Sequence, residues 1–140
     1  MKNEFEILTK YISILNDNQY GEWVFDRQNN GSREHPIHMP YIKYSDIVYL
    51  LIADIYIVAQ TYEKFNLTCY HEILEKHNIQ WSEQSMTEAD VSTLDKQCIL
   101  ALLVGTVQAE RFCEGILMSF LENGCILHWL KRLQALDFET

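Results

Sequence analysis

From about Ser92 or Asp95 to Glu122 the chain repeats apolar side chains at helical spacing, and this run constrains the fold more than any other. At roughly 100° per residue, Cys98, Ile99, Leu102, Leu103, Thr106, Ala109, Cys113, Leu117, Phe120 and Leu121 fall on one side. A helix with so broad an apolar side has to be covered by other elements. Asn123-Gly124 stops it, because glycine accepts the left-handed conformation that closes helices.

Inside this run stands AERFCEG, residues 109–115. On an unbroken helix Glu110 projects into the apolar set, while Arg111 points about 100° away, beside Gln108 and Gly115. The two therefore do not pair with each other. An inward carboxylate needs a partner, because an unpaired buried charge costs several kcal/mol or forces protonation. Arg132, His128, Arg33 and the hydroxyls of Tyr41 and Tyr44 are the candidates. Glu110 then either ties a loop to the helix, the preferred role, or serves as a general acid/base or ligand anchor. A break near Gly105 or Gly115 would turn it outward.

The other segments supply the cover. Residues 4–15 predict a helix from the steps of Phe5, Leu8, Tyr11, Ile12 and Leu15, with Asn3 and Glu6 at its start and Asn16-Asp17-Asn18 ending it. Residues 20–44 hold both prolines and an Asn30-Gly31 pair, which predicts a short irregular hairpin from Trp23–Phe25 and Ile37–Ile42. Such a long non-helical connection is often a functional loop. Ser45 is placed to cap a helix over about 46–64. One face of that helix carries Ile47, Leu51, Ile55, Val58 and Tyr62; the other mixes Asp46, Tyr49, Gln60 and Lys64 with Leu50 and Ile57. Either the long loop or a second subunit covers that other face. A short helix over 69–77, a polar connection at 79–90 around Trp81, and a last helix over 125–136 complete the chain. The fold class is therefore mainly α: one helical domain over 1–140, a bundle of about five helices with an irregular hairpin or loop at 20–44.

Charge excludes some functions. The net charge is −9, with nine acids against five bases in residues 1–63 and seven against two in 81–122. No basic stripe is available for a phosphate backbone, so no direct nucleic-acid binding is expected. Solubility explains the acidity, and an acidic surface that imitates DNA and docks on a nucleic-acid enzyme is the sharper alternative. The longest apolar run, Ile47 to Ala59, contains Asp54 and falls short of the ~20 residues of a bilayer span, so no membrane partner is expected. The charged N-terminal MKNEFEILTKYI lacks the apolar core of a signal peptide. A cytoplasmic protein with free, mostly buried thiols at Cys69, Cys98, Cys113 and Cys125 is expected.

Metal ligation has weak support. His35-x-x-His38, Cys69-x-His71 and Cys125-x-x-His128 are unlike pairs, whereas zinc sites bring recognisable ligand spacings. Cys125 and His128 project about 60° apart on their helix. They are the weak metal candidates, and no cofactor is expected. No phosphate-cradling glycine loop, nucleophile elbow or paired-carboxylate motif is present.

Three stretches together, MPYIKYS (39–45), ERFCEG (110–115) and the closing LKRL (130–133), carry a resemblance. The chain resembles an uncharacterised family of small bacterial proteins, a domain of unknown function with MPYxxYS, [DE]RFC[DE]G and LxRL segments in that order. The resemblance implies that Tyr41, Tyr44, Glu110, Arg111 and Arg132 belong to one polar cluster, with MPYIKYS packed over ERFCEG. It implies no reaction. A noncatalytic, homodimeric interaction protein using Leu50 and Ile57, or binding another protein, is the leading expectation. A small-molecule or enzymatic site at Glu110 and Arg111, lidded by residues 26–44, is the alternative.

Overall fold

The computed structural model describes residues 4–15, 20–25, 31–34, 36 and 40–138. Two one-turn helices, α1 (Glu6–Thr9) and α2 (Tyr11–Ile14), meet at Lys10 where a single helix is expected. Strands β1 (Gly21–Val24) and β2 (Tyr41–Tyr44) pair antiparallel, Gly21 opposite Tyr44 and Val24 opposite Tyr41. The hairpin therefore forms, but its return strand lies nearer α3 than Ile37–Ile42 suggested. The Asn30, His35 and His38 assignments lie outside the described residues, as do Asn3 and Asn16–Asn18.

Helix α3 (Asp46–Thr61) follows, then 3-10 turns at Glu63–Phe65 and Leu67–Cys69, and α4 (Tyr70–Lys76). Ser45 precedes α3, yet its hydroxyl makes no cap bond; its carbonyl accepts the Val48 and Tyr49 amides at 3.0 and 3.2 Å. A further helix, α5 (Glu83–Glu88), occupies the expected polar connection, because the Ser82 hydroxyl accepts the Ser85 amide and starts it.

The long apolar run is two helices, not one. Helix α6 (Lys96–Glu110) begins where Asp95 accepts the Cys98 amide at 2.9 Å. It ends at Glu110, and α7 (Ile116–Glu122) starts after a turn whose Gly115 has φ +103°. Helix α8 (Cys125–Phe138) closes the fold. From Cys98 to Val107 every residue of α6 is buried, under α3, α4, α7 and α8. Trp81 seals one side of it, its indole N–H donating to the Gly105 carbonyl at 2.9 Å.

Asp137 joins the two ends of the chain. It is fully buried on the α8 stripe that carries Trp129, Leu130 and Leu133. One carboxylate oxygen accepts the Phe5 amide at 2.9 Å and the other lies 3.2 Å from the Lys96 ammonium. That ammonium also sits 5.5 Å from the centre of the Phe5 ring. One acid thus holds the entry of α1, the first turn of α6 and the end of α8. Asp137→Ala should lower unfolding free energy by about 3 kcal/mol, because it strands a buried N–H and a partly buried ammonium. Asp137→Asn, which keeps an acceptor for Phe5, should lose less; equal urea midpoints for both variants and the parent protein would contradict this role.

Candidate functional site

The turn between α6 and α7 explains why ERFCEG carries two acids and a glycine. Once the helix ends at Glu110, the first amides of α7 need acceptors. The Glu110 carboxylate supplies them: the Gly115 amide donates at 3.1 and 3.2 Å to its two oxygens, and the Leu117 amide at 2.9 Å. A carboxylate there is also favoured by the positive end of the helix. The inward projection expected of an unbroken helix is replaced by a cap, and Glu110 is half-buried.

Glu114 acts one residue from the restart. Its Oε2 accepts the Ile42 amide at 3.0 Å, on the edge of β2 that faces away from β1. Gly115 completes the joint twice over. Its φ lies in the left-handed region, and a Cβ there would stand 3.0 Å from the Trp23 ring and 3.7 Å from Ile42. β1 and β2 therefore lie directly on the 110–115 turn.

Tyr44 reaches into the same place. Its hydroxyl is buried, and no hydrogen bond of standard geometry closes on it among the described residues. Burial, reinforced by the neighbouring Glu110 carboxylate, holds this phenol far above its ordinary range. Its ring meets Tyr49 of α3 edge-on at 6.1 Å. Tyr44, Glu110 and Glu114 are thus gathered, and the second acid is one that sequence reasoning passed over, although ERFCEG displays it.

The remaining members of the expected cluster lie elsewhere. Tyr41 is half exposed, and Arg111 is exposed with Nη1 donating to the Gln108 side chain at 3.4 Å. Arg132 rests on the Leu94 carbonyl at 3.4 Å. Leu94 precedes the first turn of α6, and Glu110 ends this 15-residue helix, so about 22 Å of helix separates them. An arginine side chain cannot span that gap.

A family of unknown function (DUF6508) matches residues 1–138. The chain belongs to that family. No curated protein and no solved structure matches it. DUF6508 brings no activity to transfer, so the geometry has to carry the functional conclusion. Among the described residues no three His, Cys, Asp or Glu side chains gather as a metal site. His128 is exposed, and Cys125 is half-buried beside Thr87 and Asn123, its thiol pushed up mainly by burial. All four cysteines are free, but Cys98 alone is fully buried, its thiol raised to about 12 by burial. Cys113 is exposed because the helix that would have turned it inward has already ended.

Removing the cap should be measurable. Glu110→Ala is expected to cost about 1–2 kcal/mol, the usual size of a lost N-terminal cap, read by urea denaturation. A change below experimental error would show that the turn holds without it.

The buried phenol sets a pH dependence. Tyr44 ionises near 10.0 in an unfolded chain and well above that in the fold. Its contribution is complete below pH 10 and is lost as pH rises, since the unfolded chain sheds its proton first. Stability should fall above pH 10 and fall less steeply in Tyr44→Phe; an identical alkaline slope in that variant would contradict the assignment. Tyr11 adds to the same slope, its phenol raised by burial and by the Asp54 carboxylate it meets at 2.6 Å.

Proposed function

We propose that this protein is a noncatalytic interaction protein of the cytoplasm, a homodimer formed through the outer face of α3. One observation carries the proposal. Tyr49, Leu50 and Ile57 are 51%, 55% and 47% exposed, and with the exposed Ala53 they share one side of α3 over successive turns. Their positions lie within about 100° of one another around the helix.

A second copy is the occupant that fits. The chain carries a net charge of −9, so two copies repel wherever acids face each other. Between Asp46 at one end and Glu63 beyond the other, the one charged side chain of this stretch is Asp54, and it is paired with the Lys10 ammonium at 3.4 Å. Ala53 lies near the midpoint, where a two-fold axis would bring antiparallel helices closest and where a small side chain permits it. Free thiols, one of them exposed, support a reducing compartment. Among the described residues no helix is long and apolar enough to cross a membrane.

The geometry gives less to the alternatives. A catalytic Glu110 would need its carboxylate directed at a substrate, and it is held by two backbone amides. The acidic decoy gains Glu83, Glu88 and Glu122 on one groove between α5 and α7. It loses Glu110 and Glu114, whose oxygens point at the backbone.

Leu50→Glu and Ile57→Glu should each convert the dimer to monomer, read by native mass spectrometry, with helical circular dichroism unchanged. Because both side chains are exposed, each change should alter monomer stability by no more than about 0.5 kcal/mol. A parent protein that is monomeric at tens of micromolar, or variants that keep the parent mass, would refute the proposal.

A further inference from the structure

A groove of about 580 Å³ runs between α3 and α6, apart from the 110–115 turn. That volume lies inside the roughly 300–1,000 Å³ range of small-molecule sites. Its floor is apolar, made by Ala59, Leu67 and Val104. Its two ends differ in what they offer a ligand.

The α3 and α6 helices run antiparallel here. Tyr56 meets Gln108, while Phe65, beyond the far end of α3, takes a 2.7 Å hydrogen bond on its carbonyl from the Gln97 side chain. Glu63 therefore lies at one end of the groove and Gln108 at the other. At the Gln108 end the hydrogen bonds all run in one direction. Arg111 donates to the Gln108 carbonyl oxygen, and the Gln108 amide donates to the Tyr56 hydroxyl, both at 3.4 Å. The phenol accepts in that chain, so its own proton is left to donate. Tyr70 lines the same groove, its phenol raised above its ordinary range by burial, with the Arg111 charge opposing that shift. One end thus presents O–H donors beside a guanidinium. The other presents the Glu63 carboxylate, an acceptor. Tyr56 stands five positions, or about 7.5 Å of helix, before the end of α3 at Thr61, and Glu63 opens the 3-10 turn beyond it.

We infer that this groove binds a small linear zwitterion of the ω-amino carboxylate class, its carboxylate at Tyr56 and Gln108 and its ammonium at Glu63. The apolar floor takes the methylene chain, the ammonium meets the Glu63 carboxylate, and the carboxylate meets O–H and N–H donors that the Arg111 guanidinium backs through Gln108. This site does not depend on self-association, since Leu50 and Ile57 do not line it.

The test is an NMR titration of ¹⁵N-labelled protein with 4-aminobutanoate, 6-aminohexanoate and 8-aminooctanoate. The carboxylate and the ammonium analogue of each length serve as comparisons. At least one zwitterion should give saturable shifts at Tyr56, Gln60 and Gln108, and bind about fivefold tighter than either singly charged analogue, the scale of a rim ion pair. Glu63→Gln should erase its advantage over the carboxylate analogue, and Tyr56→Phe its advantage over the ammonium analogue. Spectra unchanged away from the groove would show that both variants fold. No saturable shift with any of the three zwitterions, shifts confined to other residues, equal binding of the singly charged analogues, or variants that leave the preference intact would each overturn the inference.

Discussion

The structure depends on burying α6 from every direction. Ten consecutive residues, Cys98 to Val107, are all buried. A helix in that position cannot use a polar face to set its orientation, so its surroundings must do it. Helices α3, α4, α7 and α8 form the walls, and Trp81 closes a gap that Gly105 leaves open. The one polar side chain in the buried stretch, Thr106, is satisfied within the helix by the Leu102 carbonyl at 2.9 Å. Substitutions in this segment act on the whole core, because each side chain touches several elements and cavities there collapse only in part.

A central helix also has to end without leaving polar groups stranded in the core. Acids do this at both ends. Asp95 accepts the Cys98 amide at the start, and Lys96 in the same turn pairs with buried Asp137. At the finish Glu110 caps the next helix and Glu114 pins β2. The hairpin is thereby anchored on the α6–α7 joint, and Gly115 gives the Trp23 ring its place. The part of the sequence that looked most like chemistry is in this way a structural joint. Its carboxylates are directed at backbone amides.

Much of this organisation could be read from residue spacing. The buried stripe of α3, the burial of Ile126, Trp129, Leu130 and Leu133 in α8, and the short α4 all follow from apolar steps of three and four. The exposed Leu50 and Ile57 were visible as a second apolar face. What failed was continuity. A five-residue turn at 111–115 interrupts a run whose apolar period continues into α7, and period alone does not register a break that leaves the pattern in phase. On the period alone Cys113 belongs to the core and Glu110 to the interior, and the turn displaces both. Asp137 continues the Leu130–Leu133 stripe, yet spacing gives an acid no claim to the core until its partners, Phe5 and Lys96, are brought beside it by the fold.

By itself the sequence determined a mainly helical domain, the segments that make its core, and a net charge of −9. These depend on composition and on contacts between residues close in the chain. Tertiary structure alone decided which acids are structural, that Arg132 lies a helix length from Glu110, and that Tyr56, Glu63, Tyr70 and Gln108 share a groove. Those facts depend on where separate helices stop and how they cross. Packing of the whole chain sets such distances, and no local pattern encodes them.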